Sequence, residues 1–358
     1  MCLCYFTTSR NVFKNLATEE FFLKCFENNI LLFYCNSASV VVGRNQNIFK
    51  EVNVEFCGSN GLCIARRRSG GGCVYHDLGN LNVSLITTRR KFSKTRLLEC
   101  IQSALQKDFH IPVHISERND LRLFDRKVAG SAYRITAERA YHHTTLLVQA
   151  DLWRLEEALH CSEKFTVETK ATESIRSKVC NLTEYKRSLH IMDICRAISK
   201  EWYSQSLKVV PEQGFMLFDN DDIGRLSSQI EKEYKQLNSV QWIWGEGPAY
   251  SLRCHLLFRW GFIDMSLRVE KGNRIIGVDM HSASGIPFHL RESMTQAMIG
   301  LNCLGNVLRD RIIELTKNEG KNYGEQFQEI ATWFLSNLPT LGNIERAGNI
   351  NIQNEYRR

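Results

Sequence analysis

Two hydrophobic periods alternate along the first half of the chain. Apolar runs of strand length occupy residues 31–34 (LLFY), 39–43 (SVVVG) and 144–150 (TTLLVQA), which predicts buried strands. Other apolar residues recur every three or four positions, as on one face of a helix. These are Phe13, Leu16, Ala17 and Phe21 near the start, and Leu97, Leu98, Ile101, Ala104 and Leu105 after Ser93. The alternation predicts a mixed α/β domain.

The second half predicts a smaller α+β module. Apolar and polar residues alternate over residues 263–269, and a turn at 271–273 (KGN) leads into a second strand, RIIGVDM, which is the pattern of a β-hairpin. Two helical patterns follow, on Leu301, Leu304, Leu308, Ile312 and Leu315, and then on Phe327, Ile330, Trp333 and Phe334. We expect a large domain over residues 1–249, an accessory domain over 250–338 and a polar tail over 339–358.

Composition narrows the class of protein. The 358 residues are 43% hydrophobic and 24% charged, as in a globular chain rather than a disordered one. No apolar run reaches the ~18 residues of a membrane span, so no membrane association is expected. The 13 Cys include no CxxC pair, which argues against zinc. His142 and His143 are neighbours on a predicted strand and face opposite sides, so no protein-held metal is predicted.

Positive charge is concentrated in one window. The net charge is +7, and residues 66–96 contain eight Lys or Arg against a single acid, Asp77. Such a field indicates a phosphate-bearing ligand, an acidic partner or nucleic acid. The alternative is a solvated basic face.

The most informative segment is ARRRSGGGCVYHDLGNLN, residues 65–82. Three consecutive glycines allow backbone N–H groups to approach an anion closely, and the preceding arginines have planar forks suited to phosphate or carboxylate. The segment is neither a P-loop, because no Lys-Ser/Thr follows the glycines, nor GxGxxG. The alternative is a glycine-rich turn with incidental arginines.

A second segment, ERNDLRLFDRKVAGSAYR (117–134), carries a candidate catalytic lysine. Lys127 lies between a predicted turn at 124–126 and the small residues 129–132, which leave room for a ligand against the backbone. An isolated hairpin lysine is otherwise a solvated residue. The third segment is the strand YHHTTLL.

Taken together, these segments resemble the lipoate–protein ligase and lipoyltransferase family, which is related in fold to biotin protein ligases. RRRSGGGCVYHDLGN is similar to the lipoate-binding loop of that family, DRKVAGSAYR to its catalytic-lysine segment, and YHHTTLL to its third site strand. The likeness extends through SIRSKVCNLTE and WIWGEGPAY. It implies a large mixed sheet flanked by helices, with a small α+β accessory domain. One departure is Thr144, where many relatives have Gly.

The resemblance also implies site residues. Lys127 is the expected catalytic residue, which contacts the lipoate carboxyl and the α-phosphate. The remaining nucleotide- and acyl-binding positions are Arg67, Ser69, Gly70, Gly71, Gly72, Cys73, Val74, Tyr75, Asn80, Arg118, Asp120 and Thr145.

The implied activity is ATP-dependent activation of lipoate to lipoyl-AMP, with Mg²⁺, followed by transfer to a lysine. The implied acceptors are apo lipoyl domains of 2-oxoacid dehydrogenases and the glycine-cleavage carrier protein. We expect a monomer. If the source is eukaryotic, we expect it in mitochondria, because lipoylated dehydrogenases work there; otherwise we expect it in the cytoplasm. The N-terminal segment 1–18 faintly resembles a transit peptide, but its strand and helix patterns favour part of the fold.

Three alternatives remain open. A lipoyltransferase shares these motifs and takes lipoyl-AMP or a lipoylated protein as donor, without adenylation. A non-catalytic binding module retains the fold alone. A nucleic-acid-binding protein requires aromatic residues among the basic ones, and the basic window has only Tyr75 and Phe92, so we expect no nucleic-acid partner.

Overall fold

The computed structural model describes residues 2–160, 166–204, 214–220, 228–259, 261–282, 288–304, 308, 310–315, 317, 328–330 and 332. Within these ranges the helices are α1 (Val12–Cys25), α2 (Ile48–Glu51), α3 (Val54–Ser59), α4 (Arg96–Phe109), α5 (Leu152–Leu159), α6 (Ile191–Ser204), α7 (Ser228–Leu237) and α8 (Phe288–Met298). The strands are β1 (Cys2–Thr7), β2 (Asn29–Tyr34), β3 (Ser39–Val42), β4 (Cys63–Arg66), β5 (Val74–His76), β6 (Asn80–Thr88), β7 (Val113–Ile115), β8 (Leu121–Leu123), β9 (Arg126–Ile135), β10 (Arg139–Leu147), β11 (Thr166–Thr169), β12 (Met216–Phe218), β13 (Tyr250–Phe258), β14 (Gly261–Val269) and β15 (Ile275–Ser282).

Local sequence signals account for the ends and the inward faces of the main helices. The side chain of Asn11 accepts hydrogen bonds from the backbone N–H groups of Phe13 and Lys14, which caps α1. The helix α4 ends at His110 in the left-handed region, with φ 58°. Its predicted apolar stripe is confirmed, since Leu97, Leu98, Ile101, Ala104 and Leu105 are all buried.

The large sheet confirms the predicted mixed architecture. Its eight strands lie in the order β12-β1-β2-β6-β10-β9-β8-β7. The strand β1 runs parallel to both of its neighbours, whereas the pairs from β2 to β7 are antiparallel. Helices flank this sheet, as the resemblance implies.

The two faces of the large sheet differ in chemistry. One face is apolar, where Leu81, Val83 and Leu85 of β6 lie in a core with residues of α4 and α6. Because strand residues alternate between faces, the intervening positions of β6 and their partners on β10 share the other face. This face is polar at Asn80, Asn82, Ser84, His143 and Thr145. It becomes apolar at Leu147, the partner of Asn80, and at Ile86 and Tyr141, which belong to a separate hydrophobic cluster.

A three-stranded sheet of order β4-β3-β5 carries the glycine-rich segment. Both predicted strands at 31–34 and 39–43 form, but in different sheets, because β2 pairs with β1 and β6 whereas β3 pairs with β5. The three glycines follow β4 and precede β5.

The predicted hairpin of the second half is confirmed. The strands β14 and β15 pair antiparallel, and the predicted inward residues of β14 are buried. With β13 and β11 they form a sheet of order β11-β13-β14-β15. The helix α8 was not expected. The first predicted helix is confirmed in part: Leu301 and Leu304 lie in a bend and a turn, whereas residues 308 and 310–315 are helical, with Leu308 and Ile312 buried. The second predicted helix falls largely outside the described residues, although Ile330 is helical and buried. The predicted tail falls wholly outside the described residues.

The chain divides into two compact units that interleave along the sequence. The first comprises Met1–Arg44, Ala65–Glu156 and Ser174–Ser239, and the second comprises Asn45–Ile64, Glu157–Glu173 and Val240–Arg358. Early segments belong to the second unit because β11 pairs with β13 and because Phe49 contacts the rings of Trp244 and Tyr250. The predicted domains, 1–249 and 250–338, are contiguous stretches of sequence, whereas these units are not. The domain boundary at 249/250 stays a prediction.

Membrane insertion finds no support in the helices. Within the residues that the structure describes, none combines the length and the hydropathy that a membrane span requires.

Candidate active site

The loop of residues 69–73, called the glycine loop below, is held in shape by Arg67. This side chain is 3% exposed, and its guanidinium donates four hydrogen bonds. The acceptors are the Ser69 Oγ at 2.9 Å and the carbonyl oxygens of Val41 at 2.9 Å, Gly70 at 2.7 Å and Gly72 at 2.6 Å. Burial lowers the pKa of Arg67, yet a guanidinium stays charged at neutral pH. Arg67 thus shapes the loop, and its predicted ligand contact stays a prediction.

Arg66 likewise donates hydrogen bonds to backbone carbonyl oxygens. It is 1% exposed, and its Nη1 donates to the carbonyl oxygens of Gly43 at 3.0 Å and Arg44 at 3.1 Å. These bonds fix the chain that enters the glycine loop to the segment that follows β3.

Arg68 forms ion pairs with two buried carboxylates. Its Nη2 lies 2.7 Å from Glu233 Oε2, and its Nε lies 3.7 Å from Glu20 Oε2. Glu20 also pairs with Arg134 at 2.8 Å. Burial raises the pKa of Glu20 to about 7, although the charges of Arg134 and Arg68 oppose that rise. Arg68 therefore ties the loop to α1 and α7.

A buried hydrogen-bonded chain connects the glycine loop to the large sheet. Ser69 Oγ lies 2.8 Å from His143 Nε2, and His143 Nδ1 lies 3.0 Å from Glu19 Oε1. Ser69 already accepts from Arg67, so its hydroxyl proton is directed to His143 Nε2. His143 Nδ1 then donates to the Glu19 carboxylate, which leaves every member of the chain satisfied.

Backbone geometry explains the need for glycine at position 71. Gly71 has φ +83°, and a Cβ there would lie 3.2 Å from Arg67 Nη2 and 3.4 Å from Ala132 Cβ. A Cβ on Gly72 would lie 3.1 Å from Ser174 Oγ, the atom that accepts from the Cys73 N–H at 2.9 Å. Loop and neighbours are therefore in close contact.

The loop nevertheless retains unused donors. The backbone N–H groups of Gly70, Gly71 and Gly72 donate to no group among the described residues, and a Cβ on Gly70 would enter open space. Consecutive free N–H groups form a concavity of positive potential that suits an anion. The sequence prediction of an anion-binding loop thus has a structural counterpart, in the backbone rather than in the arginines.

Lys127 lies in a second cluster at the start of β9. Its Nζ is 2.9 Å from Asp120 Oδ1, with side-chain exposures of 25% and 14%. A Cβ on Gly130 would lie 2.9 Å from Lys127 Cε and 3.0 Å from its Nζ, so the lysine side chain rests on bare backbone. The N–H of Gly130 donates to Thr145 Oγ1 at 3.3 Å. Three predicted residues, Lys127, Asp120 and Thr145, are thereby brought together.

Both clusters lie on the polar face of β9 and β10. Gly130 is paired with Thr145, and Ala132 is paired with His143. Because Ala132 contacts the position of Gly71 and His143 contacts Ser69, the glycine loop lies over the strand two residues beyond Gly130. Two strand residues span ~7 Å, which is the separation of the two clusters along β9.

Other predicted residues line the buried interior of this region. Val74 and Tyr75 belong to β5, and burial, the largest cause, raises the pKa of Tyr75 to about 12. Asn80 donates to Asn82 Oδ1 at 3.2 Å. Within the described ranges, the Asn80 Oδ1, like the Ser84 Oγ on the same face, has no hydrogen-bond partner. Unpartnered buried acceptors indicate room for a donor or a water.

Arg118 is the predicted residue that the structure leaves apart from the others. It is exposed in the turn before β8 and forms no ion pair within the described part of the chain. Its guanidinium is therefore free, two residues from Asp120, and its predicted role stays a prediction.

Sequence reasoning missed Glu19, Ser174 and the structural use of Gly130. Glu19 had a detectable signal, because it follows Leu16 by three positions and so falls on the inward stripe of α1; an acid there requires a buried partner. Ser174 belongs to a segment without periodicity, and only the folded chain places it beside Cys73.

A protein-held metal finds no support in the described residues. No three His, Cys, Asp or Glu side chains among them lie close enough to share one ion.

Comparison with known proteins identifies similar sequences along almost the whole chain. Residues 11–202 match the family described as lipoyl protein ligase A/B catalytic domain. A lipoate-protein ligase A from Blochmanniella floridana is 30% identical over 339 residues, which cover 93% of this chain and 98% of that protein. A protein of the same name from Bdellovibrio bacteriovorus is 29% identical with the same coverage.

Solved structures show the same fold. The P. falciparum LipL1 structure in complex with lipoate has a TM-score of 0.59 at 23% identity, and covers 94% of this chain and 100% of that one. A lipoate-protein ligase A bound with ATP has a TM-score of 0.54 at 22% identity, and covers 69% and 100%. The fold is therefore shared with proteins that were solved with lipoate or with ATP.

Proposed function

This chain belongs to the lipoyl protein ligase A/B family, and from that premise we propose that it is a lipoate–protein ligase. It uses ATP to activate lipoate as lipoyl-AMP and then transfers the lipoyl group to a lysine of a lipoyl domain. The family match over residues 11–202 and the 30% identity across nearly the full length of a curated ligase support this activity. The product is an amide.

The first step forms a mixed anhydride. A carboxylate oxygen of lipoate attacks the α-phosphorus of ATP, the bond to the β-phosphate oxygen breaks, and pyrophosphate leaves. Negative charge accumulates on the α-phosphate oxygens during this step. The ammonium of Lys127 and the free N–H groups of Gly70–Gly72 are donors of the kind that stabilise such charge.

The second step makes the amide. The neutral amine of the acceptor lysine attacks the acyl carbon of lipoyl-AMP, the bond to the phosphate oxygen breaks, and AMP leaves while the amine loses its proton to water. Asp120 holds the Lys127 ammonium at 2.9 Å, so it acts as a positioning residue. Fixing a cation before the reaction avoids reorganisation in the transition state.

Metal and further partners belong to the same proposal. Mg²⁺ would arrive with ATP and neutralise triphosphate charge. The carboxylate of the cluster, Asp120, already pairs with Lys127, so the substrate phosphates would supply most of the oxygen ligands. The lipoylation system solved from Thermoplasma acidophilum comprises a bi-partite lipoate protein ligase and its E2 lipoyl domain, which supports lipoyl domains as acceptors. We extend the acceptors to the glycine-cleavage carrier protein and expect a monomer.

The observation that carries the proposal is the placement of Lys127 against Gly130 beside a glycine loop with unused N–H donors. The test combines purified protein, free lipoate, ATP, Mg²⁺ and an apo lipoyl domain, and follows the acceptor by intact mass. A parallel reaction supplies synthetic lipoyl-AMP. We expect lipoylation in both, and we expect Lys127→Ala to lower the adenylation rate by about 10²–10³-fold.

The matched control is Lys107→Ala, since Lys107 is 63% exposed and pairs with Glu201 away from the loop. This variant should keep the wild-type rate. Lipoylation from lipoyl-AMP alone would replace the ligase with a lipoyltransferase. Full activity in folded Lys127→Ala would remove the lysine from the mechanism.

A further inference from the structure

A second group of basic residues lies where β6 ends. Arg89, Arg90, Lys91 and Lys94, called the basic edge below, are all exposed. The first three form a 3-10 turn, and the backbone N–H of Arg89 donates to the carbonyl oxygen of Glu138 at 2.8 Å. Arg89, Arg90 and Lys91 line a shallow depression together with Thr88, Ala137 and Glu138.

None of the four cations forms an ion pair within the described part of the chain. Arg96, which begins the next helix, differs because its guanidinium lies 4.8 Å from the centre of the Trp202 ring. Unneutralised charges at this density create a local positive potential. The basic edge therefore has charge available to an external partner.

The exposure of these side chains favours an extended acidic surface over a small anion. A built phosphate site has buried donors that converge, whereas all four cations here are exposed, including the three that line the depression. Single-stranded nucleic acid requires open aromatic faces. The neighbouring rings, Phe92 and Tyr133, instead pack edge-on against each other, with centroids 5.8 Å apart. Ile135, 50% exposed at the end of β9, adds an apolar contact suited to a protein.

The location suits an acceptor that must also reach Lys127. Thr88 pairs with Arg139 on β10, and Asn82 pairs with Thr145 in the Lys127 cluster. Six residues along β10 separate these two levels, ~20 Å of extended strand. A domain of about 100 residues has a radius of gyration of about 13 Å, so it spans that distance.

We propose that the basic edge is a docking surface for the acidic protein domain that carries the acceptor lysine. The inference rests on the proposed function. The basic edge acts on encounter and orientation of the acceptor, because exposed complementary charge mainly raises the association rate. Adenylation, which needs no acceptor, does not depend on it.

The test is the double charge reversal Arg89→Glu/Arg90→Glu. The matched control, Arg187→Glu/Lys200→Glu, makes the same change in net charge at exposed positions. At low salt we expect kcat/KM for the apo acceptor domain to fall by about 10-fold or more in the first variant, with a weaker salt dependence. Pyrophosphate release without acceptor should stay within two-fold of wild type, and the control should keep both rates.

Measurements on the wild-type protein distinguish a failure of this inference from a failure of the proposed function. If the wild type transfers no lipoate, the ligase proposal fails, and the affinity of the apo domain for wild type and variant, measured by titration calorimetry, still decides the docking surface. An unchanged kcat/KM or affinity in Arg89→Glu/Arg90→Glu would overturn the inference. An equal loss in the control would overturn it as well. Loss of binding to a single-stranded oligonucleotide, with acceptor use intact, would assign the surface to nucleic acid and overturn it.

Discussion

The arginines at 66–68 and the cations at 89–91 carry the same charge in the sequence but differ in exposure and in ion pairing in the structure. Each group is three consecutive basic residues in one positively charged window. Arg66 and Arg67 are at most 3% exposed, and the Arg68 side chain is 8% exposed between carboxylates. The three cations at 89–91 are exposed and have no ionic partner within the described residues.

The difference shows that charge counted along a chain does not measure the charge offered to a ligand. Burying a guanidinium is costly unless its donors are satisfied. Arg66 and Arg67 therefore donate to backbone carbonyl oxygens, and Arg68 pairs with Glu20 and Glu233. The function of this first group is to shape the glycine loop, whose Gly70–Gly72 N–H groups keep no acceptor among the described residues. The second group follows β6, whose last residue, Thr88, is half-buried, and its exposed charges remain available to solvent or a partner.

The largest effect is expected from Arg67→Lys. An ammonium keeps the charge but cannot reproduce a planar fork that reaches four acceptors, so the loop loses its clamp. The free energy of unfolding should fall by about 3–5 kcal/mol, since hydrogen bonds to charged groups contribute about 1.5–3 kcal/mol each. Adenylation should fall by about 10²-fold or more because the loop donors are misplaced.

The measurements for Arg67→Lys are urea unfolding and single-turnover adenylation. The control is Arg90→Lys, the same exchange in the exposed group, which should change neither. Wild-type stability and rate in Arg67→Lys would mean that positive charge alone, and not the geometry of the fork, is what position 67 provides.

The fold was largely predictable where periodicity is strong. The stripe on α4 and the alternation over β14 mark buried faces directly, and both are confirmed. Periodicity could not show that β2 and β3 enter different sheets, because both are continuous apolar runs. Nor could it show that residues 45–64 pack with the second unit, since that depends on contacts distant in sequence.

The candidate site was predictable as a set of segments but not as a network. The motifs located Lys127 and the glycine loop, and the structure brings Lys127, Asp120 and Thr145 together. The direction of the Arg67 guanidinium was not predictable, because an arginine beside a glycine loop suits a ligand and a carbonyl equally well. Burial decides between them, and burial is a property of the fold.

A smaller effect within the first region is expected from Gly71→Ala against Gly70→Ala. An alanine at Gly71 must adopt φ +83° with its Cβ 3.2 Å from Arg67 Nη2, so we expect a loss of about 1–3 kcal/mol in unfolding free energy. Gly70 has open space around its Cβ position, so its alanine variant should be unchanged or up to about 1 kcal/mol more stable.

Urea unfolding of both glycine variants provides the comparison, with lipoyl-AMP affinity by calorimetry as the second measurement. Equal stabilities of the two variants would show that neither the positive φ of Gly71 nor its close approach to Arg67 destabilises an alanine at position 71. A stable Gly70→Ala with weakened lipoyl-AMP binding would indicate that the ligand occupies the open space beside Gly70.

The smallest effect is expected from Arg90→Gln, which removes one charge from the second region. Arg90 is exposed in a 3-10 turn whose preceding residue, Thr88, makes no side-chain capping bond. Because Arg90 forms no ion pair with any residue that the structure describes, the unfolding free energy should stay within about 0.5 kcal/mol of wild type. Acyl transfer to the acceptor domain should fall only about two- to three-fold at low salt and return to the wild-type rate near 0.5 M salt, because screening removes exposed charge effects.

Urea unfolding and a salt series of transfer rates test the two expectations for Arg90→Gln. A loss of stability comparable to that of Arg67→Lys would mean that Arg90 has structural partners, and the contrast between the two basic groups would then fail.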